Sequence, residues 1–438
     1  MVAVLAGCAI MLRGPRHWML PTFLVTTLMV SMLPQFVLCG MFFMTHRTLL
    51  TFAWIRILVT GEHRQLKLGA MDKAFIAYCV WTLIGDTLLY ADSPGSALVY
   101  QVANSIYDAL GVYFMCRILM NDARELRRAL VSLAVVSTIL GGFMVIEHVT
   151  RRNLLSVMGA LHPVVQIREG KLRCQAIFSV PITAGTFGGV LFPLFAALWW
   201  QDDRWKKWAV PGAIAAMIIT VTASSGGPLM TFAAVMLGFF MWPLRGRMKA
   251  VRWIVGLTLL TLHLVMKAPV WALIARIHVI PGSSSYHRFE VIDAFVQHVS
   301  DWWLFGVKAT GDWGWCVDDV ANQYCVAAKH GGILSLILFV RVIVAGFREV
   351  GLRLKEVAGD RSTEILLWSF GVMLWAHCVS FLGISYFDQT KVVWYWSLAS
   401  LASLHLLTKP QEVPAAVGAD ELGETGSAVS SGAGAPAF

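Results

Sequence analysis

The chain has 438 residues, 57% of them hydrophobic and only 14% charged, with a formal net charge of +9. Soluble domains carry about 25% charged residues, so secreted, fibrous, disordered and ordinary soluble-enzyme readings are excluded. A mean hydropathy of +0.67 places the chain in a bilayer.

A spanning helix needs about 20 apolar residues. The hydropathy pattern predicts an all-α, polytopic membrane protein with about eleven transmembrane helices, the range being about ten to twelve. The predicted spans are 19–43, 72–91, 97–117, 127–149, 178–200, 206–223, 228–243, 251–270, 322–346, 363–383 and 388–408. The apolar stretch 44–60 carries His46, Arg47 and Arg56 and reads either as an interfacial helix or as a twelfth span. The opening residues lack a basic n-region and do not read as a signal peptide. Residues 1–408 form one membrane domain without internal repeat. The Ala-, Gly- and Ser-rich stretch 409–438 reads as a disordered cytoplasmic tail.

Loop charge sets the orientation. Arg117, Arg124, Arg127 and Arg128 occupy one connection; Arg204, Lys206 and Lys207 a second; Arg245, Arg247, Lys249 and Arg252 a third; Arg348, Arg353, Lys355 and Arg361 a fourth. Counting spans puts all four on one side, and the positive-inside rule makes that side cytoplasmic. A basic excess of this kind marks loops, not nucleic-acid binding. Eight cysteines without a CxxC pair indicate neither a zinc site nor a redox motif.

The opposite side holds connections 150–177 and 271–321 and the short turn Ser224-Ser225-Gly226-Gly227-Pro228. Both long connections carry cations against the charge rule. The first has Arg151, Arg152, Arg168, Lys171 and Arg173; the second has Arg276, Arg288 and Lys308. An anionic ligand is one reason to keep arginine there, since the planar guanidinium matches phosphate oxygens; solvated loop charge is the plain alternative. The 271–321 connection opens on a turn at Pro281–Ser285. An amphipathic interfacial helix with Arg288 in its first turn follows, then Trp302, Trp303, Trp313 and Trp315 as an aromatic belt. It offers Glu290, Asp293, Asp318 and Asp319 as carboxylates, and His287, His298 and, beyond it, His330 as bases. Asp318-Asp319 lacks a third ligand at metal spacing, so no metal or cofactor is expected. Asn322, Lys329 and His330 stand at the outer end of span 322–346. Asp86 and Asp108 lie inside predicted spans, where pairing with a buried donor is the favoured role.

Three stretches together resemble the O-antigen ligase/polymerase family of bacterial envelope glycan membrane proteins. They are Arg173–Pro181 with Ala184–Gly188, then Thr222–Gly226, then Arg288 through Trp302–Gly306 to Asp319, Asn322–Tyr324 and Gly331-Gly332. The similarity covers about 170–345. Two departures stand out. Ala321 occupies the ligase histidine position, with Asn322 and Gly332 aligned, and Ser225 stands where relatives carry arginine. These shift the expectation from ligase toward a polymerase-like or uncharacterised relative.

The resemblance implies an inner-membrane glycosyltransferase working without metal on glycan carried by undecaprenyl pyrophosphate, alongside membrane lipids and other polysaccharide assembly proteins. It implies catalytic roles for Arg288, Glu290 and Asp319 or His330, and substrate binding by Arg168, Lys171, Arg173, Lys308 and Asn322. Arg173 and Arg288 would neutralise the pyrophosphate. A lipid-linked glycan transporter and a non-catalytic subunit of an export assembly are the rival readings.

Overall fold

The computed structural model describes residues 2–32, 36–38, 40–276 and 285–408. The predicted tail 409–438 and the turn residues Pro281–Ser284 lie outside them.

The chain is 76% helical. In order, the helices are α1 (Val2–Arg13), α2 (Arg16–Met29), α3 (Thr45–Thr60), α4 (Ala70–Leu89), α5 (Pro94–Gln101), α6 (Val112–Leu119), α7 (Ala123–Thr150), α8 (Pro181–Ala197), α9 (Asp203–Lys206) and α10 (Ala209–Thr222). They continue with α11 (Gly226–Phe240), α12 (Met248–Val265), α13 (Leu273–Arg276), α14 (Ser285–Gln297), α15 (Val299–Trp302), α16 (Gln323–Lys329), α17 (Gly332–Glu356), α18 (Arg361–Ser380) and α19 (Asp388–Ala402). A π-helical stretch, Val102–Gly111, joins α5 to α6. Two antiparallel hairpins of three-residue strands complete the chain: β1 (Phe36–Leu38) with β2 (Met41–Phe43), and β3 (Gln166–Arg168) with β4 (Lys171–Arg173). The strands qualify the all-α expectation only locally.

Among the described residues, four helical stretches are long and apolar enough to cross a membrane: Ala123–Thr150, Pro181–Trp200, Trp242–Val265 and Arg361–Ser380. Their starts are chemically marked. Asp122 accepts from the Arg124 amide ahead of α7, and Asp360 accepts from the Ser362 and Thr363 amides ahead of α18. Such caps satisfy amides that have no partner within the helix.

Two predicted spans are corrected. The stretch 19–43 is not one helix: α2 ends at Met29 and β1–β2 occupies its second half. The stretch 97–117 is helical throughout, within an unbroken run from Pro94 to Leu119 whose middle, Val102–Gly111, is π-helical. The stretch 322–346 breaks between α16 and α17, where Gly331 (φ +110°) and Gly332 (φ +70°) take left-handed conformations that continue no right-handed helix. Hydropathy sums over such breaks and does not see them.

Small residues set the packing. A Cβ on Gly188 would stand 2.5 Å from the Ala216 carbonyl oxygen, so α8 and α10 approach at backbone distance. Outward on α10, Val210, Ile214, Met217 and Val221 form an exposed apolar stripe at helical spacing. Helix α12 buries no residue at all. An apolar exterior of this kind is suited to lipid rather than water.

The four basic connections meet at one end of the bundle. Arg127 donates to Gln201, Gln201 donates to the Ser362 carbonyl, and Arg245 pairs with Glu364. Arg16 reaches both Glu62 and Asn121 there. At the opposite end, Cys174 N donates to Thr222 O and Gln323 N to Phe381 O, joining the remaining connections. Residues 285–328 form a small core of their own from Val291, Phe295, Trp302, Val320, Cys325 and Ala328. The expected tryptophan belt is therefore divided. Trp302 is core and donates to the Phe295 carbonyl, Trp313 stacks on His298, and Trp303 and Trp315 are exposed.

Candidate functional site

The candidate site is assembled at the end of the bundle away from the basic connections. Glu147, buried near the end of α7, accepts from the amides of Gln175 and Ala176. This fixes the chain as it leaves β4, directly beyond Arg173. The Cys174–Thr222 bond then joins the end of β4 to the end of α10, just ahead of the turn 223–227. Arg288, in the first turn of α14, reaches the same turn. A Cβ on Gly227 would stand 3.4 Å from Arg288 Nη2, and one on Gly383 only 2.7 Å from Nε. Glycine at 383 is thus what admits the guanidinium.

The polar partners of Arg288 are few. It is 5% exposed, its Nη1 meets the Met230 sulfur at 3.7 Å, and its Nε has no hydrogen-bond partner. Arg173 is half-buried and its Nε is also without a partner. Among the described residues these are the two arginines with a buried, unsatisfied Nε. Burial pushes both guanidinium pKa values down from the usual value, and Arg168 adds to the effect at Arg173. Both remain charged, because arginine is not deprotonated in proteins. A buried cation without a counter-charge is costly, and an arriving anion relieves the cost.

The other expected site residues separate into groups. Asn322 is buried and caps α16, its Oδ1 accepting from the Tyr324 and Cys325 amides. Its Nδ2 approaches the Leu382 carbonyl at 3.5 Å, in the turn that also bounds Arg288. Its side-chain oxygen is therefore committed to structure. His330 lies eight residues on, at the far end of α16, about 12 Å away at 1.5 Å per residue. There its Nδ1 stands 2.9 Å from Asp86 Oδ2, and Gln101 donates to the same carboxylate. The His330 side chain is 33% exposed, so this is an imidazole oriented by a buried acid and open on one side. A substrate that engages both Arg288 and His330 must lie along α16.

Glu290 is partly buried and makes no hydrogen bond or ion pair among the described residues. Asp319 is exposed, as is Asp318. Without burial or an orienting partner, Asp319 lacks the features expected of a tuned base. Arg168 and Lys171 are exposed on the β3–β4 hairpin. Lys308 pairs with Asp92 at 2.8 Å in solvent and lies over the Tyr90 ring. Arg168 still acts electrostatically on Arg173, whereas Lys308 is engaged by Asp92. Among the described residues no three His, Cys, Asp or Glu side chains converge as a metal site would require.

A second polar centre gives Asp108 the buried donors expected of it, though sequence reasoning did not name them. Arg47 on α3 grips Asp108 through Nε (2.7 Å) and Nη2 (2.8 Å), and His46 Nε2 adds a contact at 3.0 Å. Closer to the basic end, Asp72 holds Arg117 and Tyr113. The signal was present: charges inside apolar stretches need partners. Which charge pairs with which is not written in spacing. No protein-family model matches the chain, and no characterised protein is significantly similar to it in sequence.

Proposed function

We propose that the chain is a polytopic protein of the bacterial inner membrane, with about eleven spans. In this reading it transfers glycan from undecaprenyl pyrophosphate to an acceptor at the periplasmic face, as a polysaccharide polymerase or ligase. The observation that carries the reading is that Arg288, buried, and Arg173, half-buried, each keep an Nε without a hydrogen-bond partner at the outer end of the bundle. Breaking the bond to a pyrophosphate leaving group places negative charge on its oxygens. Preorganised guanidinium groups in a site with little water stabilise that charge without reorganising. Asn322 keeps the 381–383 turn in place beside Arg288. His330, oriented by Asp86, is a better candidate than Asp319 for accepting the proton of an acceptor hydroxyl.

The test measures surface-glycan length distribution alongside the amount of protein in the membrane. A charge-assisted contact to the leaving group contributes about 2–4 kcal/mol, or roughly 30- to 1000-fold in rate. Arg288→Ala should therefore nearly abolish polymer formation while the protein still inserts. Arg288→Lys should recover only part, since it keeps the charge and loses the planar fork. Arg204→Ala, at the opposite end, should leave glycan unchanged. Normal glycan from stably inserted Arg288→Ala would end the reading. Because arginine does the leaving-group work here, activity of the purified protein should survive EDTA.

A further inference from the structure

A cavity of about 800 Å³ opens at the same end of the bundle but on a different set of elements. Helix α3, the π-helical stretch and α19 contribute to its walls, and Ile177 and Phe387 also line it. Pockets that bury whole small molecules measure about 300–1,000 Å³, so this one has the size of a ligand site. Most of its lining is apolar, Met32, Val99 and Val392 among it.

The charges on its wall are unevenly matched. Asp108 is already held by both Arg47 and His46. Asp388 accepts from the Ser179 amide at 3.2 Å, the Thr183 hydroxyl at 2.9 Å and the Thr390 amide at 3.0 Å. Lys391, one helical turn after Asp388, makes no hydrogen bond or ion pair among the described residues. It lies deep in the protein yet keeps part of its surface toward the cavity. An ammonium held at an apolar wall with its neighbouring carboxylates engaged is a receptor for an anion. Apolar walls around that anion call for a chain attached to it.

We infer that this cavity binds an acidic amphiphile, with its phosphate or carboxylate head on Lys391 and its apolar chain along the Met32, Val99 and Val392 walls. The inference does not rest on the glycan-transfer reading, since neither Arg173 nor Arg288 lines this cavity.

The test uses the full chain in detergent and three probes: lyso-phosphatidylglycerol, the neutral monoolein, and glycerol phosphate, which has the head but no chain. Native mass spectrometry or fluorescence competition reads binding. The unaltered protein should take lyso-phosphatidylglycerol at least tenfold more tightly than either other probe. Lys391→Met should remove the preference for the acidic probe, and Lys391→Arg should retain it. Val99→Trp keeps the charge and fills the space, so it should lose binding of both chained probes. The inference is overturned if monoolein binds as well as the acidic probe, if glycerol phosphate alone binds as tightly, or if folded Lys391→Met keeps the preference. Loss of polymer formation in Arg288→Ala with normal lipid binding would separate the two sites.

Discussion

Two buried arginines, Arg47 and Arg288, are solved differently by this fold. Both are 5% exposed. Arg47 meets Asp108 through two nitrogens, with His46 on the same carboxylate, so its charge is neutralised within the protein. Arg288 meets a methionine sulfur and two glycines, and its Nε has no partner. The first arrangement is self-sufficient and ties α3 to the π-helical stretch. The second leaves a buried cation without a carboxylate partner among the described residues. The comparison teaches that burial of a cation alone does not mark a site; burial without a counter-charge does.

The largest expected effect breaks the paired member. Asp108→Asn leaves Arg47 and His46 facing a neutral amide, and stranding a buried charge costs about 3–5 kcal/mol. The protein should lose thermal stability in detergent and accumulate poorly. The double variant Arg47→Met/Asp108→Leu should recover most of the loss, because no charge is then left unpaired. Arg288→Ala should behave in the opposite way, with unchanged or raised stability and lost glycan. A thermal-shift series across these variants decides whether the contrast holds; equal destabilisation by Asp108→Asn and Arg288→Ala would erase it.

A smaller effect is expected at Gly383. Its added methyl would stand 2.7 Å from Arg288 Nε, so Gly383→Ala must displace the guanidinium. Misplacing a catalytic contact by about 1 Å costs up to roughly 100-fold. Glycan output should fall by about 10- to 100-fold with the amount of membrane protein unchanged. The smallest effect belongs to Lys308→Ala. Its partner Asp92 is solvent-exposed, and such pairs contribute little, so glycan output should change by less than about twofold. A large loss at Lys308 would return that residue to the site.

The sequence by itself decided the solvent of this protein and much of its plan. Only lipid suits a chain with 14% charged residues and long apolar runs, and loop arginines sorted the connections into two ends. It also flagged eight cations on outer-end connections that oppose the charge rule, Arg173 and Arg288 among them. Tertiary structure decided the rest. It set the breaks at Met29 and at Gly331-Gly332, which a hydropathy average smooths over. It paired Asp108 with Arg47 and Asp86 with His330, contacts spanning 61 and 244 positions that no local spacing encodes. It put Lys308 in a solvent-exposed pair with Asp92 and Arg168 and Lys171 on an exposed hairpin, and left Lys391 on a cavity wall without a hydrogen bond or ion pair among the described residues. The physical reason is common to all of these. Hydropathy and loop charge are sums over neighbours in sequence, whereas a buried charge is satisfied or stranded by whichever side chains folding brings within about 3 Å of it.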